Sequence, residues 1–375
     1  MTVVKYGLIG CGMMGQEHIK NIALLEGAAV TAVYDPVPEL AKASADLAGG
    51  AQVCEGLRAL VEQVDAIVIC SPNHCHVDQL MEIAMVQHLP ILCEKPLYVR
   101  PEGAPRIADF ASRYGAPVWV AMEYRYMPPV AKFIEEVQAA TGGIEMLTIR
   151  EHRFPFLPKI GNWNRFNRNT GGTLVEKCCH FFDLMRLILQ SEPVRVMASG
   201  AQNVNHKGES YMGETPDIWD NAYVIVDFES GARAMLELCM FAEGSTYQEE
   251  LTAVGREGKI EAYVPGPGRF WNGDGPAPTP KVVISPRSPK APRTLEVPVD
   301  ETLLDAGDHN GSTFYQHQGF LKLIQEGGAP EVGLDDGAQA VAIGLAAQIS
   351  AQEGRVVHME EIAKRITPQF ADANS

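Results

Sequence analysis

Short apolar runs alternate with amphipathic stretches through the first 120 residues of the chain. Five of these runs have the length of buried strands, and they lie at 3–9, 28–34, 66–70, 90–93 and 117–120. Patterns of helical period lie between them, at 38–47, 76–87 and 102–114. Strands and helices that alternate at this spacing form βαβ units, whose parallel strands are covered on both faces. The pattern therefore predicts an α/β domain of the doubly wound, Rossmann type.

Beyond residue 122 the pattern changes, because strand-like runs follow one another with few helices between them. These runs lie at 146–152, 194–201, 222–228, 232–240, 249–254 and 259–263. They predict an α+β domain with a large, mainly antiparallel open sheet. We therefore expect the chain to divide into domains at 1–122 and 123–375.

The last third of the chain contains one irregular segment and two helical patterns. Residues 265–292 are dense in Pro and Gly, and we interpret them as a loop or an irregular hairpin. The helical patterns lie at 312–325 and 335–353. We expect these C-terminal helices to pack back on the first domain.

Charge and cysteine spacing exclude several classes of partner. The 375 residues carry a formal net charge of -16, and such a surface repels nucleic acid and anionic membranes. No apolar stretch is long enough to span a bilayer, and no basic, apolar leader precedes the first strand. We therefore expect a cytoplasmic location. The eight cysteines form no C-x-x-C pair, so no metal site is predicted.

The first strand leads into a glycine-rich turn, Gly10-Cys11-Gly12-Met13-Met14-Gly15. This G-x-G-x-x-G spacing between a strand and a helix is typical of a dinucleotide site, in which the pyrophosphate lies at the helix N-terminus. Asp35 ends the second strand, where a carboxylate can accept hydrogen bonds from the adenosine ribose. Asp35 can also cap the helix that follows, and the two roles are compatible. The pattern predicts NAD as the cofactor, with NADP disfavoured.

Polar residues follow two further strands of the predicted parallel sheet. Ser71, Pro72 and Asn73 come after the strand at 66–70, and Glu94 and Lys95 come after the strand at 90–93. Ligands of such sheets bind beyond the carboxyl ends of the strands. These residues are therefore expected at the rim of the cofactor site.

Glu176, His180 and Asp183 are spaced i, i+4, i+7 after Gly171-Gly172-Thr173, which predicts one stripe of a helix. A carboxylate and an imidazole on one face can handle a proton. An acidic residue near a helix start and a buried core histidine would explain the same pattern. Lys95, delivered from the other domain, favours catalysis.

The chain resembles the Gfo/Idh/MocA oxidoreductases over nearly its whole length. The resemblance is carried by the following pieces: the glycine turn, Asp35, Ser71-Pro72-Asn73-x-x-His76, Glu94-Lys95-Pro96, Glu123-Tyr124-Arg125-Tyr126, Gly171-Gly172-Thr173, His180-x-x-Asp183, Gly311-Ser312-Thr313-Phe314-Tyr315 and Val332-x-Leu334-Asp335-Asp336-Gly337.

That resemblance implies roles for individual residues. Lys95 and His180 would be the catalytic pair, and Glu176 stands where inositol dehydrogenases carry aspartate. Trp163, Arg165 and His309 would reach the substrate. Glu94 would contact the cofactor, and so would Ser71, Pro72, Asn73, His76 and Arg125. Relatives of this kind commonly form dimers or tetramers, so a homodimer or homotetramer is expected.

The predicted function is an NAD-dependent dehydrogenase that oxidises a secondary hydroxyl of a small, neutral cyclic polyol, sugar or glycoside. His180 would take the hydroxyl proton, while Lys95 would hold the developing alkoxide. Two alternatives remain open at this point. One is a redox-neutral glycosidase that retains NAD, and the other is a dinucleotide-sensing regulator without turnover.

Overall fold

The computed structural model describes residues 3–271 and 273–366. Six parallel strands form the first sheet, in the order β3-β2-β1-β4-β5-β6. Their bounds are β1 Val4–Ile9, β2 Ala28–Tyr34, β3 Gln52–Val53, β4 Ala66–Ile69, β5 Ile91–Cys93 and β6 Val118–Val120. The strand order reverses at β1, because β2 pairs with one side of β1 and β4 with the other. The glycine turn and the carboxyl ends of β4 and β5 therefore lie at the same edge of the sheet. The predicted Rossmann fold is confirmed.

Helices connect the strands of this sheet and cover its faces. They are α1 Met13–Ile22, α2 Pro38–Leu47, α3 Leu57–Val61, α4 His76–Ala84 and α5 Gly103–Arg113. The strands are nearly continuous apolar runs, as sheets covered on both faces require, and every residue of β4 is buried. The helices place their apolar stripes on these strands.

Nine strands form the second sheet, in the order β14-β13-β12-β11-β7-β10-β9-β8-β15. Their bounds are β7 Ile144–His152, β8 Pro193–Ala201, β9 Asn221–Phe228, β10 Arg233–Cys239, β11 Glu249–Gly255, β12 Gly258–Val264, β13 Lys281–Pro286, β14 Arg293–Glu296 and β15 Val357–His358. Only the β7 and β10 pair is parallel among these neighbours. Buried and exposed positions alternate along β9 and β10, which is typical of a sheet with one face on a core. The predicted open, mainly antiparallel sheet is confirmed.

The remaining helices lie around this sheet and between the two cores. They are α6 Pro128–Thr141, α7 Asn167–Thr170, α8 Thr173–Glu176, α9 Cys179–Leu189, α10 Glu301–Ala306, α11 Ser312–Glu326, α12 Leu334–Glu353 and α13 Met359–Ile366. Helix α11 packs on the first domain, where Phe320 meets the ring of Tyr6 at 6.1 Å between centroids. Helix α12 contributes to both cores, with Val341 in the first and Ile343 in the second. The division at residue 122 therefore stays a prediction.

Two parts of the sequence interpretation needed revision. The Pro- and Gly-rich segment at 265–292 contains strand β13, which pairs with β12 and β14. Its interpretation as a loop was wrong there, and a hairpin was the better choice. Helix α6 was not predicted, because it opens on Pro128 and Pro129, residues that suit a first helical turn but read as a break.

One face of the nine-stranded sheet is open and partly apolar. Met146, Tyr223, Ile225 and Val254 lie on this face and are between 37% and 58% exposed. Aligned strand positions share a face, so these side chains form one surface. The expected homo-oligomer stays a prediction. Among the described helices, none is long and apolar enough to cross a membrane.

Candidate active site

The glycine turn leaves an open surface at the start of α1. Gly10 has φ +97, and a Cβ there would lie 2.5 Å from the backbone nitrogen of Ser71. A Cβ on Gly15 would collide with the carbonyl of Gly10, whereas a Cβ on Gly12 would meet nothing within 4 Å. Gly10 and Gly15 are therefore required by the protein's own packing. The space over Gly12 is left for a ligand.

The N-terminus of α1 suits an anion. Its first turn carries no acidic residue, and no side chain caps its free N–H groups. Met13 is exposed at this turn, while Cys11 is buried, so Cys11 presents only its backbone. Burial raises the pKa of the Cys11 thiol to about 11. The residues present therefore fit a dinucleotide phosphate.

Asp35 joins the end of β2 to this turn. Its carboxylate accepts hydrogen bonds from the backbone N–H of Cys11 at 2.8 Å and of Val37 at 2.8 Å. Val37 is the residue that precedes α2, so the capping role and the position beside the cofactor turn both hold. Asp35 remains half-exposed there.

The segment after β4 forms the rim opposite the glycine turn. The hydroxyl of Ser71 donates to the side chain of Gln79, and Pro72 is half-buried before a short 3-10 turn. The side chain of Asn73 is buried, and its amide lies close enough to the carboxyl of Glu176 to lower the pKa of that group. Asn73 therefore faces Glu176 across the rim.

The side chain of His76 lies inside the protein, and the predicted contact with the cofactor is not visible in its surroundings. It is fully buried, with Nδ1 at 2.9 Å from the carbonyl oxygen of Pro96 and Nε2 at 3.1 Å from that of Ser71. Burial lowers its pKa, so the ring is neutral at pH 7. His76 braces the two rim segments, and it presents no exposed group to a cofactor.

Glu94 lies at the end of β5 in a buried chain of polar groups. Its Oε1 is 3.0 Å from Nε2 of His18, whose Nδ1 is 2.8 Å from Nε2 of His317. Burial raises the pKa of Glu94, but His18 and Lys95 lower it by more. The net pKa is below the usual value, so the carboxyl is ionised. This chain joins α1, β5 and α11, so it fixes Glu94 beside Lys95.

The predicted single helix that carries Glu176, His180 and Asp183 is broken. Helix α8 ends at Glu176, a turn covers Lys177 and Cys178, and α9 begins at Cys179. The predicted continuous helix was therefore wrong, although Lys177 and Cys178 keep right-handed helical φ and ψ values through the turn. Lys177 is turned inward instead of following the helical pattern.

Lys95 reaches α8 from the other sheet. Its Nζ donates to the carbonyl oxygen of Glu176 at 3.3 Å. Burial lowers the pKa of Lys95, but the acidic neighbours Cys179, Glu94 and Glu176 raise it by more. The side chain is therefore an ammonium at neutral pH, with further N–H groups available to a ligand.

Glu176 offers an acceptor at the same place. Its Oε2 is buried without a hydrogen-bond partner among the described residues. Burial raises the pKa of Glu176, and Lys95 and Lys159 offset only part of that effect. An orphaned carboxyl oxygen of this kind is costly unless a ligand donates to it.

His180 is 2% exposed, and its Nδ1 has no hydrogen-bond partner in the described parts of the chain. Burial lowers its pKa well below the usual value, and the positive charges of Lys95, Lys177 and His309 lower it further. The carboxylates of Glu176 and Asp183 do not offset these effects. The ring is neutral at pH 7.

An ion pair between Asp183 and Arg125 explains why Asp183 does not raise the pKa of His180. Arg125 Nε donates to Asp183 at 3.0 Å, and Nη1 donates to the carbonyl oxygen of Glu331 at 3.1 Å. The two charges neutralise one another, so Asp183 does not act on His180. The guanidinium of Arg125 is occupied in this pair, which differs from the predicted cofactor contact.

Trp163 and Arg165 lie in the 3-10 segment before α7. The ring of Trp163 is half-buried and meets His74 of the rim, edge to face, at 6.2 Å. Arg165 is 2% exposed, and its Nε is 3.0 Å from a carboxylate oxygen of Glu209. Trp163 therefore borders the rim, while Arg165 holds the segment around Glu209, and its contact with a substrate stays a prediction.

His309 lies between two carboxylates from different parts of the chain. Its Nδ1 is 2.7 Å from Glu17 of α1, and its Nε2 is 3.7 Å from Glu123. Burial lowers the pKa of His309, but Glu123 and Glu17 raise it by more, to about 9. Thr313 donates to one of the two carboxylates, at 3.0 Å from Glu17 and 3.1 Å from Glu123. His309 is thus an imidazolium that joins the domains.

Three basic residues near the site were not singled out from the sequence. Lys177 is buried and lies 2.8 Å from Glu151, Arg153 lies over Phe154, and Lys159 is close enough to Glu176 to lower its pKa. Lys177 could have been noticed, because a lysine interrupts an otherwise apolar run there. The other two lie in an irregular segment that gives no pattern.

A cleft of about 830 Å³ opens at the outer side of α1. Met13 and Glu17 of α1 line one side, and the segments at 265–269 and 304–308 line the other. Its size is in the range of small-molecule sites. Lys95, Glu176 and His180 do not line this cleft, which borders the site only through Met13 and Glu17.

The fold and the site define an oxidoreductase that uses a nicotinamide dinucleotide. Residues 4–122 match the model of the "Oxidoreductase family, NAD-binding Rossmann fold", and residues 139–359 match that of the "Oxidoreductase family, C-terminal alpha/beta domain". The chain belongs to this family, the Gfo/Idh/MocA oxidoreductases. It is an NAD(P)-dependent oxidoreductase that acts on CH–OH groups, and its N-terminal domain binds NAD.

Named relatives agree with this assignment at low identity. The chain is 28% identical to the rhizopine catabolism protein MocA of Rhizobium meliloti, over 74% of this chain and 82% of that protein. It is 24% identical to the myo-inositol 2-dehydrogenase of Thermotoga maritima, over 96% and 99%. A crystal structure of a putative myo-inositol dehydrogenase from Sinorhizobium meliloti 1021 shares the fold, with a TM-score of 0.75, 24% identity and coverage of 95% and 100%.

The two glycines allow a matched test of the cofactor turn. Gly15→Ala places a methyl group against the Gly10 carbonyl, so we expect a lower thermal unfolding midpoint and weaker NAD binding. Gly12→Ala meets no protein atom within 4 Å, so the free protein should unfold at the wild-type temperature while NAD binding weakens by about 10-fold or more. Thermal scans without NAD and titrations with NAD measure the two effects. Unweakened NAD binding by Gly12→Ala would contradict this placement of the pyrophosphate.

His309 makes stability depend on pH. Its pKa is raised to about 9 in the folded protein, so its stabilisation is complete below about pH 6.5 and is lost as pH rises through 9. The same pair lowers the pKa of Glu17 to about 2, so its contribution is also lost at acid pH. Between pH 6.5 and 9 the free energy of unfolding should fall by on the order of 2 kcal/mol. Denaturant titrations of wild type and His309→Gln measure this, and an equal slope in both would refute it.

Proposed function

We propose that the chain is an NAD-dependent dehydrogenase that oxidises a secondary hydroxyl of a cyclic polyol, sugar or glycoside. The observation that carries the proposal is the meeting of Lys95 from the first domain with Glu176 and His180 from the second. The low-identity relatives support the substrate class, because one is named as a myo-inositol dehydrogenase. The balance of the reaction is simple: the carbinol carbon loses a hydride and its oxygen loses a proton.

NAD bound at the glycine turn supplies the hydride acceptor. Lys95 follows the strand next to β4 at the edge where the turn lies, so a carbinol held by its ammonium is at the nicotinamide end of the site. Asn73 and Glu94 line the same edge. These residues bind and orient the cofactor and the substrate, and they form no covalent bond in the reaction.

His180 is the group that takes the hydroxyl proton. Its lowered pKa keeps the imidazole neutral at pH 7, and a base must be unprotonated to accept. No hydrogen bond to either ring nitrogen is found among the described residues, and Nδ1 is fully buried. The proton therefore passes from the carbinol oxygen to an imidazole that is already in its receptive form.

Lys95 and Glu176 act on the substrate's oxygens. The ammonium of Lys95 donates to the oxygen that becomes negative, and such a donor in a buried site stabilises the alkoxide strongly. Oε2 of Glu176 accepts from a neighbouring hydroxyl, and the amide of Asn73, which faces Glu176, helps to hold that carboxyl in place. One donor and one acceptor beside the reacting oxygen match a vicinal diol or a ring polyol.

We propose a neutral substrate, because most charges around the site are already compensated within the protein. Lys177 is paired with Glu151, and His309 lies between Glu17 and Glu123. Lys159 has no recorded ion pair among the described residues, so sugars that carry a carboxylate or phosphate belong in the same screen. A strong preference for these acidic sugars would overturn the neutral assignment.

Single substitutions test the catalytic pair. Lys95→Met and His180→Gln should each lower kcat by roughly 10²-fold or more, the scale of a positioned acid–base group, while NAD still binds. The measurement is formation of reduced nicotinamide with purified protein, NAD and a panel of inositols, monosaccharides and glycosides. Lys42→Met and His358→Gln are matched controls, since both residues are exposed and remote.

The same screen separates the alternatives. Glycoside hydrolysis without net reduction of NAD would replace this proposal by a redox-neutral glycosidase. NAD binding without any turnover would replace it by a sensor. Near-normal turnover in either variant would remove that residue from the mechanism.

Asp35 is proposed to select NAD over NADP. A carboxylate at the end of β2 accepts from the ribose 2′-OH and repels a 2′-phosphate. Asp35→Ser should therefore raise the NADP to NAD ratio of kcat/KM by about 10-fold or more, chiefly through KM. Steady-state kinetics with both cofactors measure the ratio. Equal use of both by the wild type would show that Asp35 has another role.

A further inference from the structure

The structure leaves open what holds the imidazole of His180. The neighbouring carboxylates do not hold it, because Asp183 is paired with Arg125 and no hydrogen bond joins Glu176 to the ring in the described residues. A proton-accepting imidazole is usually oriented by a hydrogen bond to its second nitrogen. Here another group must do this.

The ring of Tyr124 lies flat against the imidazole. The two ring centroids are 4.1 Å apart and the planes are inclined by only 8°. Tyr124 is 2% exposed and belongs to the 3-10 segment Glu123–Tyr126 that links the two domains. Its other side is fixed by Phe181, edge to face, at 5.7 Å. A stacked contact of this kind defines the plane of both rings.

Tyr124 is itself held at its hydroxyl. The Nζ of Lys177 donates to the hydroxyl and lies 4.6 Å from the centre of the ring. The same Nζ is 2.8 Å from Oε1 of Glu151, which is fully buried on β7. The linking segment, the turn between α8 and α9, and the second sheet therefore meet at one ammonium group.

Lys177 lies beside two buried carboxyl groups, those of Glu151 and Glu249. Glu151 lies opposite Glu249 in the register of β7 and β11. Burial raises the pKa of Glu249 to about 7, and the neighbouring Glu151 contributes to that rise. Without Lys177 two buried carboxyls would face one another. Burial and Arg153 lower the pKa of Lys177, while Glu151 and Glu249 act in the opposite direction.

We propose that Tyr124 is a positioning residue for His180, and that the Lys177–Glu151 ion pair fixes Tyr124 in the stacked orientation. The inference rests on the proposed function only in giving His180 the role of base. The aromatic face also lies where the imidazolium charge develops when His180 takes the proton, and an aromatic ring attracts a cation on its face. Tyr124 thus orients the neutral ring and favours its protonated form.

Charged groups surround the pair on every side. Lys95 approaches from the first sheet, Arg153 from the end of β7, His309 from the segment before α11, and Lys177 from the turn. On the acidic side Glu151, Glu249 and Glu123 face Tyr124, and with burial they hold its pKa well above the usual value. Tyr124 therefore stays a neutral phenol, and its hydroxyl accepts from Lys177.

The first experiment observes the stacking directly and does not depend on turnover. In protein labelled with ¹³C-histidine, the ring signals of His180, assigned with His180→Gln, should be shifted by the ring current of Tyr124. Tyr124→Phe keeps the ring and should keep the shift, whereas Tyr124→Leu should lose it. Tyr126→Leu is the matched control, since Tyr126 lies on the same segment and its hydroxyl donates to Glu331. Retention of the shift in Tyr124→Leu would refute the stacking.

The second experiment asks whether the orientation matters for the chemistry. With the substrate found above, Tyr124→Leu should lower kcat by about 10-fold or more with unchanged NAD affinity, and Tyr124→Phe should restore most of that loss. If Tyr124 were needed only for folding, both substitutions would lower the unfolding temperature, and kcat would not differ between Tyr124→Leu and Tyr124→Phe. Equal kcat in Tyr124→Leu and wild type would overturn the proposal, and so would equal loss in both variants.

The third experiment uses the charge of Lys177. Lys177→Met with Glu151→Gln removes both members of the ion pair, which avoids leaving a lone buried carboxylate. Loss of the ammonium should raise the pKa of His180, so its NMR titration and the rising limb of kcat/KM should both move to higher pH. No movement would overturn the place of Lys177 in this arrangement. If no substrate is found for the wild type, the function proposal fails while both NMR readouts still test the positioning.

Discussion

The burial of charge between the two sheets is the constraint on which this molecule depends. A buried ion is tolerated only when it is paired and hydrogen-bonded, and this protein places many ions where the domains meet. Most are matched within the protein, as in the pairs of Arg125 with Asp183 and Lys177 with Glu151. Several buried polar atoms have no hydrogen-bond partner among the described residues, and those of Glu176 and His180 lie close to Lys95. At the candidate site a bound ligand would complete this compensation.

Other polar contacts fix the residues of the candidate site to helix α11. Glu17 belongs to the helix that opens at the cofactor turn, and it holds His309, which lies before α11. Glu94 is joined through His18 to His317 of α11. The groups near the nicotinamide are thus fixed by residues far along the chain, and any movement of α11 would disturb both. A rigid joint of this kind suits a reaction in which two groups from different domains must meet one oxygen.

Much of this architecture could be predicted from the sequence, because period and turn chemistry are local properties. The parallel sheet, the glycine turn and the antiparallel second sheet follow from runs of strand length and from the order of elements. The break after Glu176 could not be predicted, since the spacing of Glu176, His180 and Asp183 is compatible with a continuous helix. The partners of Arg125, Arg165 and His309 are distant in sequence, so no pattern indicates them. Strand β13 was obscured by the prolines and glycines on either side of it.

The electrostatics of this site are set by the charged groups around His180. Lys177, in the turn at 177 and 178, lowers the pKa of the imidazole, and Asp183 is neutralised by Arg125. Burial and the surrounding positive charges keep the imidazole neutral at pH 7, and the ring of Tyr124 stacks on it. The proposed role of Glu176 is therefore recognition of substrate hydroxyls and not orientation of the histidine.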